Sequence, residues 1–404
     1  MSEKLLLINS ILNTGSTGRI TEEIGIVALR SGFQSSAAHG NFVRNSELNV
    51  LKIGSKISVF FHGVESRLFD NHGFASRKAT RDFITELEQN MPDIVHLHNI
   101  HGYFLNVEIL FNFLKRNKIP VVWTFHDCWP FTGHCSYFDG VNCNKWESVC
   151  NKCPNKAGYP KTYFDFSERN FLKKKNSFTG HNNLTIVTPS AWLAQLVKIS
   201  FLQEYPVKIL NNGVDIEIFK PYFSQKTVEK YKLQPFLKIV LGVASTWDKR
   251  KGLSDFIELS SKLPNDVRIV LVGLSKAQLN EIPAKITGIP RTENVSELAE
   301  LYSMAHVFVN PTYVDNFPTT NIEALACGTP VVTYKTGGSP EAIDNQTGLI
   351  VEKGDLNGLY FSLMSLLEMS KTRFSDLCRK RAVEYYDKNN KFLEYINLYK
   401  QILK

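Results

Sequence analysis

Short apolar runs alternate with helix-spaced segments along this chain, and the alternation runs through twice. Few architectures satisfy that pattern. Leu5 to Ile8, Ile94 to Leu97, Val121 to Phe125 and Leu184 to Val187 are continuous apolar runs, the signature of strands buried on both faces. Pro92 and Pro120 stand just before two of them and mark clean strand starts. After Arg19, the residues Ile20, Ile24, Val27 and Ala28 keep helical spacing, and Gly32 is placed to cap that helix. Strand, helix and strand in this order require a parallel sheet covered by helices. The pattern restarts at Lys238 to Val243 and continues with Val267 to Val272, Val307 to Val309 and Pro330 to Thr333. Between the sets, Asp215 to Gln234 is weakly periodic, carries Pro221 and is followed by Pro235; it reads as the connection. A chain of 404 residues exceeds what one core organises. The expectation is an α/β protein of two Rossmann-like parallel-sheet domains, residues 1–218 and 219–385, closed by a helix over 386–404. Open parallel sheets bind ligands beyond the carboxyl ends of their strands, so functional residues are sought there.

The most specific stretch runs from Asn310 to Val332. A strand ends at Pro311, a loop follows, and a short helix opens near Thr319 or Thr320 and stops at Gly328. A helix N-terminus offers backbone N–H groups and the positive end of a dipole, which suits a diphosphate. Glu323 falls in the first turn, where a carboxylate can accept from ribose hydroxyls; Asp315 precedes the loop. A second element, Gly242 to Gly252, follows the first strand of the second set. Its Lys251, just before Gly252, can reach a diphosphate as a point charge. In the first half, Asn13 to Arg19 is a small turn containing Gly15 and Gly18, which lets a backbone approach a ligand closely. Thr124 to Asp127 and His98 to Gly102 end two strands at the same edge. There His126 and Asp127 are candidates for contact with substrate, and His98 and Asn99 for acceptor binding or for shaping the site. Asn211 to Asp215 reads as an architectural turn.

The Asp315-to-Glu323 stretch resembles the acidic-seven-acidic signature of the retaining GT-B glycosyltransferases of family four, and Gly337 to Glu341 also fits that family. The family normally has glutamate at the first acidic position, where this chain has Asp315. The resemblance implies two domains facing across a cleft and a nucleoside-diphosphate sugar bound between them. It implies that Glu323 holds the ribose, that the backbone of Phe317, Pro318, Thr319 and Thr320 contacts donor sugar and diphosphate, and that Lys251 meets the diphosphate. The family's arginine six residues before that lysine is Ser245 here, so either Arg250 or Lys249 supplies the second charge, or the donor is held less tightly. Gly15 and Gly18 would lie under the phosphates, and His126 would contact the donor sugar. The catalytic set implied is His126, Lys251, Asp315 and Glu323. No carboxylate is assignable as a nucleophile. The resemblance implies attack and departure on one face, the leaving phosphate taking the acceptor's proton, with no metal or other cofactor needed for catalysis. The base, UDP or GDP, leaves no residue signature; backbone near Thr287 to Thr292 would contact it.

Five cysteines, Cys128, Cys135, Cys143, Cys150 and Cys153, crowd into a loop over 128–160 that lacks helix or strand periodicity. Cys150 and Cys153 have the two-residue spacing of a metal knuckle, and Cys135 and Cys143 can complete four thiolates for a structural zinc ion. An iron–sulfur cluster and unligated thiols are the other readings. Cys128, Cys327 and Cys378 read as core residues. Lys173 to Lys175 reads as a solvated basic face, with anionic lipid as the functional alternative.

No apolar run reaches the length of a membrane span, and the run after Met1 is too short for a signal peptide and reads as a strand. A cytoplasmic protein is expected, where cysteines stay reduced. The net charge of +8 suits anionic partners. The combined expectation is a retaining hexosyltransferase using a nucleoside-diphosphate sugar and a lipid-linked oligosaccharide. It would act peripherally at the inner membrane face, in capsule, O-antigen, lipopolysaccharide or other surface polysaccharide synthesis. Three alternatives remain at this level: a non-hydrolysing nucleotide-sugar epimerase, an inactive homologue, and a zinc-knuckle nucleic-acid-binding protein. Scattered basic residues and the lack of an aromatic–basic stripe speak against nucleic acid.

Overall fold

The computed structural model describes residues 2–234 and 236–404; Met1 and Pro235 lie outside the described residues. The chain divides into two compact units, Met1–Asn211 with Phe392–Lys404, and Asn212–Lys391.

The first unit runs β1 (Lys4–Asn9), α1 (Gly15–Arg30), β2 (Gln34–His39), β3 (Asn49–Lys52), α2 (Lys56–Phe69), α3 (Arg77–Gln89), β4 (Ile94–Leu97), α4 (Val107–Arg116), β5 (Val121–Thr124), α5 (Ser167–Phe178), β6 (Leu184–Thr188), α6 (Ala191–Ile199) and β7 (Val207–Ile209). Its sheet has the order β3-β2-β1-β4-β5-β6-β7, with every pair parallel. The apolar runs of β1, β4, β5 and β6 are almost wholly buried, as strands covered on both faces must be. β2, Gln-Ser-Ser-Ala-Ala-His, carries no apolar run, yet it pairs with β1 along its whole length. Its side chains are small because α1 packs over them; Ala37 and Ala38 are buried. The helix after β1 ends as the sequence indicates: Gly32 adopts φ +96°, and the Phe33 amide returns to the Ala28 carbonyl.

The second unit runs α7 (Gln225–Lys230), β8 (Lys238–Val243), α8 (Leu253–Lys262), β9 (Val267–Val272), α9 (Lys276–Glu281), β10 (Ile286–Ile289), α10 (Val295–Met304), β11 (Val307–Asn310), α11 (Thr319–Ala326), β12 (Val331–Tyr334), β13 (Gly348–Val351), α12 (Leu356–Glu368) and α13 (Lys371–Tyr386). Its parallel sheet has the order β10-β9-β8-β11-β12-β13. The stretch read as a bare connection is built into this unit. It contains α7, its Phe219 is buried, and Val214 bridges to Asp387 while Asp215 pairs with Lys388 at 2.9 Å.

In both sheets the chain winds outward from the first strand and then returns to its other side, so that β1 lies between β2 and β4, and β8 between β9 and β11. Loops diverge at the carboxyl ends of these neighbours, which is where a doubly wound sheet makes room for a ligand. The last helix, α14 (Lys388–Ile402), supplies Tyr395 and Tyr399 to the first unit's core; the Tyr399 hydroxyl lies 2.6 Å from His96 Nδ1.

Candidate functional site

At the carboxyl edge of the second sheet, two loops separated by about sixty residues in sequence come together. β8 runs into a 3-10 turn, Lys249–Lys251, capped by Asp248, whose Oδ1 accepts from the Lys251 amide at 3.0 Å. Gly252 follows at φ +73°. A Cβ there would stand 2.3 Å from the Pro311 carbonyl oxygen, so the turn abuts the end of β11 only because this residue is glycine. Lys251 Nζ reaches Asp315 Oδ2 at 2.5 Å, both side chains being mostly buried. Arg250 braces the same loop from its backbone and its guanidinium: its carbonyl accepts from the Tyr313 amide at 2.7 Å, and Nη1 donates to the Val314 carbonyl at 3.0 Å. Arg250 therefore holds the loop that carries Asp315, and Lys251 pairs with Asp315 directly.

The loop leads through buried Phe317 to Pro318 and α11, where Thr319 and Thr320 are half-buried. The N-cap residue of α11 is Pro318, whose side chain cannot cap it, so the first turn relies on other partners for its N–H groups. Asn321 anchors it from below. Asn310 Nδ2 donates to Asn321 Oδ1 at 2.8 Å, Asn321 Nδ2 donates to Ser339, and Ser339 Oγ lies 2.7 Å from Thr333 Oγ1. Glu323 is fixed by the buried Tyr302, whose hydroxyl donates to Oε2 at 2.9 Å. Gly337 adopts φ +53°, and a Cβ on it would fall 1.8 Å from the Asp315 carbonyl oxygen, so the segment 337–341 packs directly beneath the acidic loop. Asn212 Nδ2 donates to the Phe317 carbonyl at 3.1 Å, which ties the architectural turn to this loop. Sequence reasoning missed Asp255 at the start of α8. Its buried carboxylate accepts from Tyr313 at 3.0 Å and Tyr334 at 2.6 Å, and only the sheet topology brings those hydroxyls to it.

The carboxyl edge of the first sheet is built differently. The turn after β1 places Gly15 at φ +62°, and at Gly18 a Cβ would press within 3.2 Å of the Ile11 carbonyl oxygen. Asn9, which the sequence did not single out, accepts the amides of Ser10 and Asn99 and so fixes both loops. At the ends of β4 and β5, His98 and His126 stack at 5.4 Å between centroids, with Nδ1 of the first 3.1 Å from Nε2 of the second. Burial lowers the pKa of His98 well below its ordinary value and that of His126 to about 4. Both rings are neutral at pH 7. Asp127 Oδ1 accepts from the Trp129 amide at 2.9 Å, and Oδ2 stands 2.9 Å from His101 Nε2. Burial opposes its ionisation, but His101 and that amide outweigh burial and hold its pKa below the usual carboxylate value. Asp127 thus binds the insert's first residues and His101, while His126 and Asn99 keep partial exposure.

The insert contains only three short 3-10 turns, Trp129–Phe131, Asp139–Val141 and Lys145–Glu147. Cys128, Cys327 and Cys378 are buried core thiols. Cys135, Cys143, Cys150 and Cys153 line one cavity, with no disulfide among them. The lysine triplet is not one solvated face. Lys175 is exposed, but Lys174 points inward; its ammonium donates to the carbonyls of Trp129 at 2.7 Å and Thr132 at 2.9 Å and lies 3.6 Å from the Trp129 ring centroid. On a helix, neighbours point in different directions, and the middle lysine meets the insert.

Comparison with known proteins agrees with this geometry. A family model described as "Glycosyltransferase Family 4" matches residues 52–218, and one described as "Glycosyl transferases group 1" matches residues 238–369. A protein of Escherichia coli (strain K12), named as the colanic acid biosynthesis glycosyl transferase WcaC, is 23% identical over 92% of this chain and 90% of its own length. Sucrose-phosphate synthase from Thermosynechococcus elongatus superposes with a TM-score of 0.74 at 17% identity, covering 99% of each chain. Anabaena HepE, solved in complex with UDP, superposes with a TM-score of 0.68 at 14% identity, covering 99% of this chain and 100% of that one. The structural likenesses establish the fold. With one glycosyltransferase model on each unit and two doubly wound parallel sheets beneath them, the chain belongs to the family four glycosyltransferases and has the GT-B fold.

Proposed function

We propose that this glycosyltransferase moves a hexose, with retained configuration, from a nucleoside diphosphate to a hydroxyl of a lipid-linked glycan in surface polysaccharide synthesis. The observation that carries this reading is the meeting of Lys251 with the Asp315 loop beside the uncapped end of α11. An ammonium and a helix N-terminus together match the charge of a diphosphate and strengthen their hold as negative charge builds on the leaving group. Glu323, held by Tyr302, lies in the second turn of α11, one turn further on than the sequence indicated, where its carboxylate would accept from ribose hydroxyls. The neutral rings at the other edge suit sugar hydroxyls, which need hydrogen-bond partners and no charge. UDP is the favoured nucleotide, because HepE, a protein of the same fold, is solved with it. The polysaccharide setting rests on the likeness to WcaC.

Contact with a membrane has support in α2. Ile57, Phe60, Phe61, Val64 and Leu68 form one helical stripe, and all are exposed, Phe60 at 67%. Lys56 and Arg67 flank it, and the exposed Tyr163 and Phe164 adjoin it, the Tyr163 amide donating to the Arg67 carbonyl. An apolar face with basic residues along one side, and Glu65 on the other, fits an anionic bilayer surface. Among the described residues no helix is long and apolar enough to cross a membrane.

Titration calorimetry against UDP and GDP tests the donor reading. Micromolar binding of UDP that disappears in Lys251→Ala supports it. Binding of neither nucleotide, with the protein folded, sinks it.

A further inference from the structure

We propose that the insert between β5 and α5 holds one structural zinc ion on the thiolates of Cys135, Cys143, Cys150 and Cys153, with His134, oriented by Asp70, as a positioning residue packed beside the cluster. Four observations converge on it. The four thiols line one cavity although they span nineteen positions of an irregular loop. Cys150 and Cys153 lie at knuckle spacing, and the Gly133 amide donates to Cys150 Sγ at 3.2 Å, the kind of bond that stabilises a thiolate. His134 lines the same cavity at 2% exposure. Its Nδ1 is 2.6 Å from Asp70 Oδ1, and its Nε2 is buried without a protein partner. Asp70 is itself fixed, accepting the Phe166 amide at 3.1 Å. An imidazole oriented by a carboxylate, with its second nitrogen turned to a cluster of sulfurs, is how proteins support metal centres.

The fourth observation is charge. Four thiolates and one divalent ion carry two net negative charges, which is costly away from water unless cations stand near. Lys174 is fully buried with its hydrogen bonds to carbonyls; burial lowers its pKa to about 7, and the nearby Cys150 and Cys135 pull it back up, as a negative cluster there would do further. Lys174 stands at the cavity's edge, where a cation offsets part of that charge. As they stand, Cys135 and Cys153 hydrogen-bond to one another, and among the described residues no three His, Cys, Asp or Glu donors converge at coordinating distance. Zinc–sulfur bonds of about 2.3 Å therefore require the thiols to rotate into the cavity. Of the five available donors, the thiolates form the closed tetrahedral set of a structural site, which leaves the imidazole outside the coordination sphere.

The ion would hold the insert against the polar edge of the first sheet. The loop's far end brings Tyr159 to within 3.4 Å of His101, its Ser136 amide donates to the Tyr159 carbonyl, and its near end is bound by Asp127. A loop this long with no ladder of its own needs such a staple.

The test is elemental analysis of the intact protein, followed by cobalt substitution. The expected result is about one zinc per chain surviving dialysis, and a cobalt form with the intense thiolate charge-transfer absorption of a four-sulfur site. Cys143→Ser should weaken that absorption and the zinc affinity, whereas Cys128→Ser should leave both unchanged. His134→Ala should keep the four-sulfur spectrum and one zinc but release the metal faster to a chelator. Where a cysteine variant fails to fold, zinc stoichiometry and chelator titration of the unaltered chain decide. Protein free of metal whose four thiols react as free thiols in the native state would overturn the proposal. Iron with inorganic sulfide would overturn it too, as would a cobalt spectrum that changes with His134→Ala and not with Cys143→Ser. None of these readouts depends on sugar transfer.

Discussion

Nine of the ten histidines and five of the seven cysteines lie in the first unit, while the second holds His306, Cys327 and Cys378. The edges of the two sheets follow the same division. In the second unit the carboxyl edge presents an ammonium, a carboxylate and a helix terminus, with buried amides and hydroxyls locking the loops behind them. In the first it presents stacked imidazoles kept neutral by burial, backed by a cysteine loop. The same doubly wound frame thus supports an edge built on an ammonium and a helix terminus and an edge built on neutral imidazoles, with the Asp127 carboxylate turned to His101 and the insert. On the proposed function the difference is chemical: a diphosphate calls for fixed charge, and sugar hydroxyls call for partners that donate or accept without charge.

Exchanging one residue on each edge is the strongest way to break this contrast. Lys251→Ala should lower kcat/KM by about a hundredfold to a thousandfold, the scale of losing one preorganised electrostatic contact to a transition state. His126→Ala should leave nucleotide affinity within about twofold and lower kcat/KM by about two- to tenfold, the scale of one neutral hydrogen bond. Nucleotide titration together with steady-state kinetics separates the two. Equal loss of nucleotide binding in both variants would show that the edges are not divided by chemistry.

The locking network behind the charged edge gives the next effect. Asn321→Ala strands the Asn310 amide and the Ser339 carbonyl in a buried place, at a cost of about 1–3 kcal/mol. Hydrogen exchange read by mass spectrometry should show lost protection in α11 and β11, with β4 and β5 unchanged. Unchanged protection throughout would mean that the network does not hold the loop.

Acid should tell the units apart more gently. A histidine whose folded pKa is depressed binds fewer protons than its unfolded form between the two values, so stability is full above pH 6.5 and falls as pH drops towards the folded pKa. Burial depresses His62 to about 3 and His126 to about 4 and lowers His72, His96 and His98, all in the first unit; the second has His306 alone, at about 4. Asp127 has a lowered pKa, and its contribution is lost only below the ordinary carboxylate range, so it does not mask this window. Between pH 6.5 and pH 4, exchange protection should fall first in the first unit. Parallel loss in both would contradict the assignment of neutral, buried imidazoles.

The fold was legible where strands are apolar and central. The runs at Leu5, Ile94, Val121, Lys238 and Val267 all became strands. β2 escaped because alanine and serine suit a helix packed close above them, β3, β7 and β10 because short, half-exposed edge strands lack a continuous apolar run, and β13 because its apolar run Leu349–Val351 is only three residues long. At the site, the motifs were legible one at a time, but their pairing was not. Nothing local joins Lys251 to Asp315, Asp255 to Tyr334 or Lys174 to Trp129, because in each case the sheet or the helix face brings the partners together. Asn9 and Asn321 escaped as functional supports because one buried asparagine looks like any other until its amide partners are known.

The smallest expected effect concerns the surface that neither edge explains. If the stripe on α2 meets a bilayer, Phe60→Ser with Phe61→Ser removes two large apolar side chains from the contact, each worth about 1.5–3 kcal/mol when fully buried and less at an interface. The pair should lower partitioning onto anionic vesicles by roughly tenfold, while nucleotide affinity stays unchanged because α2 holds no residue assigned to the donor. Vesicles without anionic lipid should bind the unaltered protein more weakly, since Lys56 and Arg67 flank the stripe, and added salt should have the same effect. Partitioning that ignores both substitutions would leave α2 exposed for some other reason and would remove the membrane from the account of the acceptor, with the contrast between the charged and uncharged edges left standing.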